Sequence, residues 1–220
     1  MTFSKIIRNF LDLIFPRRKI VKKFESLNLG EITTLIPKAD PAEKNFIYPA
    51  LSYRNEMTRA IIWELKYRGN KKSAEIMGGI IYENILAEMG DLLAFENFKS
   101  PILVPIPLSN KRFRERGFNQ MELVAKVIKK LDTENLLEHN SNLLIKIKNT
   151  EAQSKTKSRA KRLENLKGCF AISKNARDYA RGRNIILIDD VTTTGSTLAE
   201  ARKTLLKAGA RKVVAFTVAH

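Results

Sequence analysis

Asn184-Ile185-Ile186-Leu187-Ile188-Asp189-Asp190-Val191-Thr192-Thr193-Thr194-Gly195-Ser196-Thr197 is the stretch on which the fold turns. Residues 184–188 are an almost wholly apolar run, the mark of a strand buried on both faces. Asp189 to Gly195 reads as a polar turn, and Ser196 to Ala208 as a helix closed by Gly209. Arg211 to Val218 supplies another apolar strand, which completes a βαβ unit and a parallel pair.

The same alternation extends backwards along the chain. Pro101 to Pro107 is a short apolar strand punctuated by prolines, followed by a basic loop. From Asn119, the residues Leu123, Val124, Val127, Ile128 and Leu131 recur at helical spacing, and Leu143 to Ile147 and Cys169 to Ile172 read as strands. Upstream, Met57, Ile61, Ile62 and Leu65 define one amphipathic helix ending at Gly69, and Ile76, Ile80, Ile81 and Ile85 define a second. The expected fold class is α/β, a largely parallel sheet flanked by helices. Residues 51–220 form that domain, while residues 1–50 form a small module: a helix over Phe3 to Phe15 stopped by Pro16, then an irregular piece from Arg17 to Pro49.

In open α/β sheets ligands bind beyond the carboxyl ends of the strands, where the 189–195 turn lies. Gly195, the hydroxyls of Thr193, Thr194, Ser196 and Thr197, and a helix start together offer backbone N–H groups, side-chain donors and the positive end of a helix dipole. Capping accounts for one Ser or Thr, not for this cluster. The carboxylates of Asp189 and Asp190 would repel a bare anion, so the ligand must join its phosphate to a polyol or a metal: a sugar phosphate. The P-loop, dinucleotide and G-x-S-x-G patterns are absent, which removes kinase-type, Rossmann and serine-hydrolase readings.

Composition narrows the classes further. The 220 residues include 40 Lys and Arg against 23 Asp and Glu, a net charge of +17, which predicts an anionic partner. The excess is concentrated: residues 1–30, 111–130 and 146–183 carry net charges of +5, +5 and +9, and the remainder −2. One cysteine, Cys169, excludes an intramolecular disulfide and any cysteine-based zinc module. No run approaches the ~20 apolar residues of a membrane span. Asp12 interrupts the N-terminal apolar run and no small-residue cleavage site follows, so a cytoplasmic location is expected. Trp63 is expected to be a packing anchor and Cys169 a small core residue.

Ile186 to Thr197 resembles the phosphoribosyl pyrophosphate motif of type I phosphoribosyltransferases. Val104-Pro105-Ile106-Pro107-Leu108, Arg114-Glu115-Arg116-Gly117-Phe118-Asn119-Gln120, and Gln153 with Arg162, Asn165, Gly168 and Phe170 are similar to the ComF family, amidophosphoribosyltransferase-like bacterial proteins some of which are linked to DNA uptake in natural competence. The likeness runs from about Tyr53 to Ala219 and implies a phosphoribosyltransferase that binds phosphoribosyl pyrophosphate with Mg²⁺. It implies that Asp189 and Asp190 are the catalytic carboxylates, contact the ribose hydroxyls and hold Mg²⁺ directly or through water. It also implies that Val191, Thr192, Thr193, Thr194, Gly195, Ser196 and Thr197 form the ligand loop, with Thr193 to Thr197 on the 5-phosphate. Arg114 and Arg116 would face the pyrophosphate, and residues 150–165, with Gln153 and Arg162, would be a hood over the site. The family's zinc ribbon opens with C-x-x-C, whereas Phe15-Pro16-Arg17-Arg18 here leads into Lys19-Ile20-Val21-Lys22, so no zinc is expected. Two other readings use the same residues: a non-catalytic accessory of DNA uptake that binds single-stranded DNA or a competence protein, and a sensor that binds the sugar phosphate without turnover.

Overall fold

The computed structural model describes residues 19–148, 166–174 and 176–220. The expected helix over Phe3 to Phe15, and the hood residues from 150 to 165 with Gln153 and Arg162, lie outside the described residues. In chain order the elements are α1 (Lys19–Ser26), α2 (Leu29–Leu35), β1 (Ile47–Leu51), α3 (Glu56–Arg68), α4 (Lys71–Glu96), β2 (Ile102–Pro105), α5 (Asn110–Arg116), α6 (Gln120–Leu131), β3 (Glu138–His139), β4 (Leu144–Lys146), β5 (Phe170–Ile172), α7 (Arg177–Ala180), β6 (Asn184–Val191), α8 (Ser196–Lys207) and β7 (Lys212–Ala219).

Five strands form one sheet in the order β1-β7-β6-β2-β3, and every pairing in it is parallel. Its centre is buried on both sides, and the pleat sorts the side chains. Ile186 and Ile188 of β6, with Val214, Phe216 and Val218 of β7, pack towards α3, α4 and α6. Ile185 and Leu187, with Val213 and Ala215, pack on the opposite face, where α8 supplies Leu198, Ala201 and Leu205. β4 and β5 pair antiparallel as a separate ribbon on that second face.

Local chemistry sets the helix ends. Asn55 accepts hydrogen bonds from the N–H groups of Met57 and Thr58 to start α3, and Gly69, at φ 59°, ends it in the left-handed region. Asn70 immediately starts α4 by accepting from Ser73 N–H. A Cβ on Gly78 of α4 would stand 2.6 Å from a methyl of Val127, so the missing side chain is what lets α6 lie so close.

Four readings of the sequence need correction. Within the stretch expected to be irregular, residues 19–26 and 29–35 are helical: α1 and α2 lie there, and Val21, Phe24 and Ile32 are buried in the same core as α3 and α4, while residues 37–46 form neither helix nor strand. α1 does carry a period, with Ile20, Val21 and Phe24 on the core side and Lys22 and Lys23 opposite, but over only two turns, and α2 depends on a capping box in which Asn28 and Glu31 bond reciprocally. β1 is an unanticipated edge strand; Pro49 is tolerated there because one side of an edge needs no donor, and Tyr48 stacks on Phe216 with ring centres 5.0 Å apart. The basic loop after Pro107 contains α5, capped by Ser109 Oγ accepting from Arg112 N–H. Trp63 is 48% exposed and is not a packing anchor, because the buried stripe of α3 runs through Met57, Ile61, Ile62 and Leu65 on the other side. Cys169 is fully buried, as expected, and burial pushes its thiol pKa up.

Candidate ribose-phosphate site

β6 runs on past the apolar residues: Asp189 pairs with Thr217 and Val191 with Ala219, so both carboxylates belong to the strand and not to the turn. The consequence is geometric. Successive strand residues point to opposite faces, so Asp190 follows Ile186 and Ile188 towards α3 and α6, while Asp189 follows Ile185 and Leu187 towards the β4–β5 ribbon.

Asp190 is buried and held from both sides. Lys66 Nζ of α3 lies 2.7 Å from its Oδ1, and Gln120 Nε2 of α6 donates to its Oδ2 at 2.9 Å. Arg116 Nη1 in turn donates to Gln120 Oε1 at 2.8 Å, which links the basic α5 segment to the carboxylate through one buried amide. Burial by itself would lower the pKa of Lys66, but the charge and hydrogen bond of Asp190 outweigh it and the pKa ends above its ordinary value.

Asp189 is half-buried and has a different environment. Its Oδ1 accepts the backbone N–H of Asp190 at 2.9 Å. Desolvation, and then the neighbouring charge of Asp190, push its pKa up to about 7, against the opposing pull of that hydrogen bond, Lys66 and Lys146. Lys146, at the end of β4, has a lowered pKa, chiefly from burial; Arg112 lowers it further and Asp189 works the other way. Arg112 is therefore the α5 arginine whose field reaches this side of the site. Arg114 is exposed and donates back to the Asn110 carbonyl at 3.4 Å.

The turn that follows is tied down at both ends. Thr192 N–H donates to the Ala219 carbonyl at 2.9 Å, and the carbonyl of Thr193 is 3.1 Å from His220 Nε2, so the loop is fixed to the end of β7. Gly195, at φ 64°, is the N-cap of α8 and supplies no side-chain acceptor to the helix start. The twelve-residue helix thus starts without a side-chain cap. Thr194 Oγ1 and Ser196 Oγ lie 2.7 Å apart, and the buried Thr192 Oγ1 has no hydrogen-bond partner among the described residues. A Cβ at Gly195 would stand 2.6 Å from Ile47 Cδ1 and 3.1 Å from Lys44 Cδ, so the stem of Lys44 lies along the cradle.

Among the residues expected at the site, Asp189, Asp190 and the 191–197 loop are contiguous, and Arg116 joins them through Gln120. Lys66, Lys146 and Lys44 were not anticipated, and Gln120 closes the Arg114–Gln120 motif but carried no expected role at the site. Lys66 had one usable signal, as a lysine among the apolar positions of α3; the others are brought in only by packing. Among the described residues no three His, Cys, Asp or Glu side chains cluster as a metal cage. Both Asp190 oxygens are taken by Lys66 and Gln120, so of the two carboxylates Asp189, through Oδ2, is the hard oxygen donor that could reach a cation such as Mg²⁺.

No family model matches the chain. It is 37% identical over 165 residues to competence protein ComFC of Bacillus subtilis, covering 74% of this chain and 60% of that protein. The chain belongs to the ComF family. Within the family it is also 37% identical over 121 residues to competence protein F of Haemophilus influenzae, covering 54% of this chain and 49% of that protein. It is 32% identical over 111 residues to the DNA utilization protein YhgH of Escherichia coli K12, covering 50% and 45%. The matches thus span between 45% and 60% of these relatives' length. Solved structures with a similar chain path include hypoxanthine phosphoribosyltransferase of Trypanosoma cruzi (TM-score 0.38, 8% identity, 67% of this chain and 64% of that one). Another is the phosphoribosylpyrophosphate amidotransferase of B. subtilis (TM-score 0.34, 15% identity, 70% and 30%). Likeness at this level carries no argument about activity. No described helix of this ComF-family chain is long and apolar enough to cross a membrane.

Proposed function

We propose that this ComF-family chain binds phosphoribosyl pyrophosphate with Mg²⁺ and transfers its ribose 5-phosphate to a base or amine, releasing pyrophosphate. The observation that carries the reading is the sequence of groups at the end of β6: two carboxylates, then a helix start whose N-cap, Gly195, makes no side-chain cap, with the paired hydroxyls of Thr194 and Ser196 beside it. A carboxylate repels a phosphate but accepts from a hydroxyl, and a cradle of donors does the reverse. The ligand that satisfies both carries vicinal hydroxyls a few bonds from a phosphate.

In this reading the cradle from Thr193 to Thr197 binds the 5-phosphate, with Lys44 beside it. Asp189 accepts from a ribose hydroxyl, and Asp190, already oriented by Lys66 and Gln120, accepts from the second. The C1–oxygen bond to pyrophosphate breaks as the C1–nitrogen bond forms, and positive charge develops on the ring. The carboxylates favour that charge, and the α5 arginines favour the leaving anion. Mg²⁺, when bound with the substrate, neutralises the pyrophosphate.

Titration calorimetry with phosphoribosyl pyrophosphate and Mg²⁺ tests the reading. Binding should be saturable in wild type and lost in Asp189→Asn with Asp190→Asn, with the circular dichroism spectrum retained. Full-strength binding by the double variant, or none by wild type at millimolar ligand, rejects it. Single-turnover release of pyrophosphate in the presence of candidate acceptors then separates an enzyme from a sensor.

A second reading is favoured by the net charge of +17: a non-catalytic accessory of DNA uptake that binds single-stranded DNA or a partner protein. A steep fall of affinity with salt supports it, and a shallow response counts against it.

A further inference from the structure

Trp63 and Tyr67 stand one turn apart on the outward face of α3, 48% and 62% exposed, with ring centres 5.2 Å apart and planes inclined by 40°. Each ring carries a guanidinium: Arg68 lies 5.6 Å from the centre of Trp63, and Arg116 lies 5.4 Å from that of Tyr67. Single exposed apolar side chains are ordinary on a protein surface. Two adjacent rings flanked by two arginines form a composed surface, apolar in its faces and cationic at its edges.

The parts are also held in place. Arg68 Nε is 3.6 Å from Glu64 Oε1, and Arg116 donates to the buried Gln120 amide. The guanidiniums are thus positioned from below, and little side-chain freedom remains to be lost when something settles on the rings. α5, which supplies Arg116, adds Lys111, Arg112 and Arg114 against Glu115 alone, and presents Phe113 49% exposed. A protein partner seated on this face would have to cover cations as well as rings. A strand of unpaired nucleotides matches both features, offering π-faces to the rings and phosphates to the arginines.

We propose that the Trp63–Tyr67–Arg68–Arg116 strip is a binding site for single-stranded nucleic acid, with unpaired bases stacked on the two rings. It gives the DNA-binding reading a location, and it does not depend on the binding of phosphoribosyl pyrophosphate.

Trp63 is the sole tryptophan of the chain, so its fluorescence reports on this site alone. Titration of the full chain with an oligodeoxythymidine of about 16 nucleotides at low salt should quench it saturably. Trp63→Ala and Tyr67→Ala, followed by fluorescence anisotropy of labelled oligonucleotide, should each weaken binding roughly 5- to 100-fold. Trp63→Phe should retain most of the affinity. Circular dichroism should stay unchanged in all three, because both side chains point away from the core. Heparin, a polyanion without bases, should neither quench the tryptophan nor sense the alanine substitutions. Equal quenching by heparin, equal affinity for the matching duplex, or wild-type affinity in both alanine variants would overturn the proposal. Loss of phosphoribosyl pyrophosphate binding with retained quenching would leave it standing.

Discussion

Lys66→Met is the substitution that most directly tests how the carboxylate pair is built. The Lys66 side chain is 23% exposed and that of Asp190 7%, with 2.7 Å between the charged atoms, so the pair sits near the interior limit. Removing one member of a buried pair costs about 3–5 kcal/mol, because the other charge is left without its partner. Gln120 still donates to Asp190 Oδ2, and water can reach the lysine end, which places the expected loss near the lower bound, about 3 kcal/mol. At roughly 2–4 °C per kcal/mol for a chain of this size, the melting temperature should fall by roughly 6–12 °C. Urea denaturation at pH 8 measures the loss directly. The double variant Lys66→Met with Asp190→Asn should recover most of it, since the stranded charge is then gone, and the cycle should return a coupling of about 2 kcal/mol. A single-variant loss under about 0.5 kcal/mol, or additive losses in the cycle, would refute the view that Lys66 neutralises Asp190 in the folded protein.

Two further outcomes follow from the site. Asp189 has its pKa raised from 3.8 to about 7 on folding, so the folded state binds more protons than the unfolded one across that interval and stability should fall as pH rises from about 4 to about 7. Asp189→Asn should therefore flatten the pH profile of the melting temperature and exceed wild type at pH 8 by up to about 4 kcal/mol, with no advantage below pH 4; a variant less stable than wild type at pH 8 contradicts this. Gly195→Ala places a Cβ 2.6 Å from Ile47 Cδ1 at a φ of 64°. Chemical denaturation should show a loss of about 2–3 kcal/mol, and a loss under about 0.5 kcal/mol would mean that the turn relaxes freely.

Much of this was legible in the chain because the relevant physics is local. The apolar run from Ile185 to Ile188 can only be a strand buried on both faces, and the helix over residues 56–68 is delimited by Asn55 and Gly69, whose roles are fixed by their own side chains or lack of one. The cluster of Thr, Gly and Ser after the carboxylates could be proposed as an anion cradle for the same reason: its donors lie within seven residues of one another. α1, α2 and β1 escaped notice because each is short, and each is stabilised mainly by contacts with distant residues; the two-turn period of α1 is too brief to stand out among its lysines.

The division of labour between the carboxylates was settled only in three dimensions. The sequence by itself determined an adjacent Asp pair before a helix start. Whether those carboxylates act alike depends on what the two faces of the sheet hold, and the strand, by continuing to Val191, turns them apart. Lys66 and Gln120, 124 and 70 positions away from Asp190 along the chain, meet it because α3 and α6 pack on one face. Asp189, on the other, is left to desolvation and the adjacent charge of Asp190, opposed by the backbone N–H of Asp190 and the charges of Lys66 and Lys146. Packing on the core face of α3 likewise decided that Trp63 stays outside beside Tyr67 and two arginines. Burial of one helical stripe exposes the opposite one, and a linear pattern records the spacing of the rings but not the cations that a second helix brings to them.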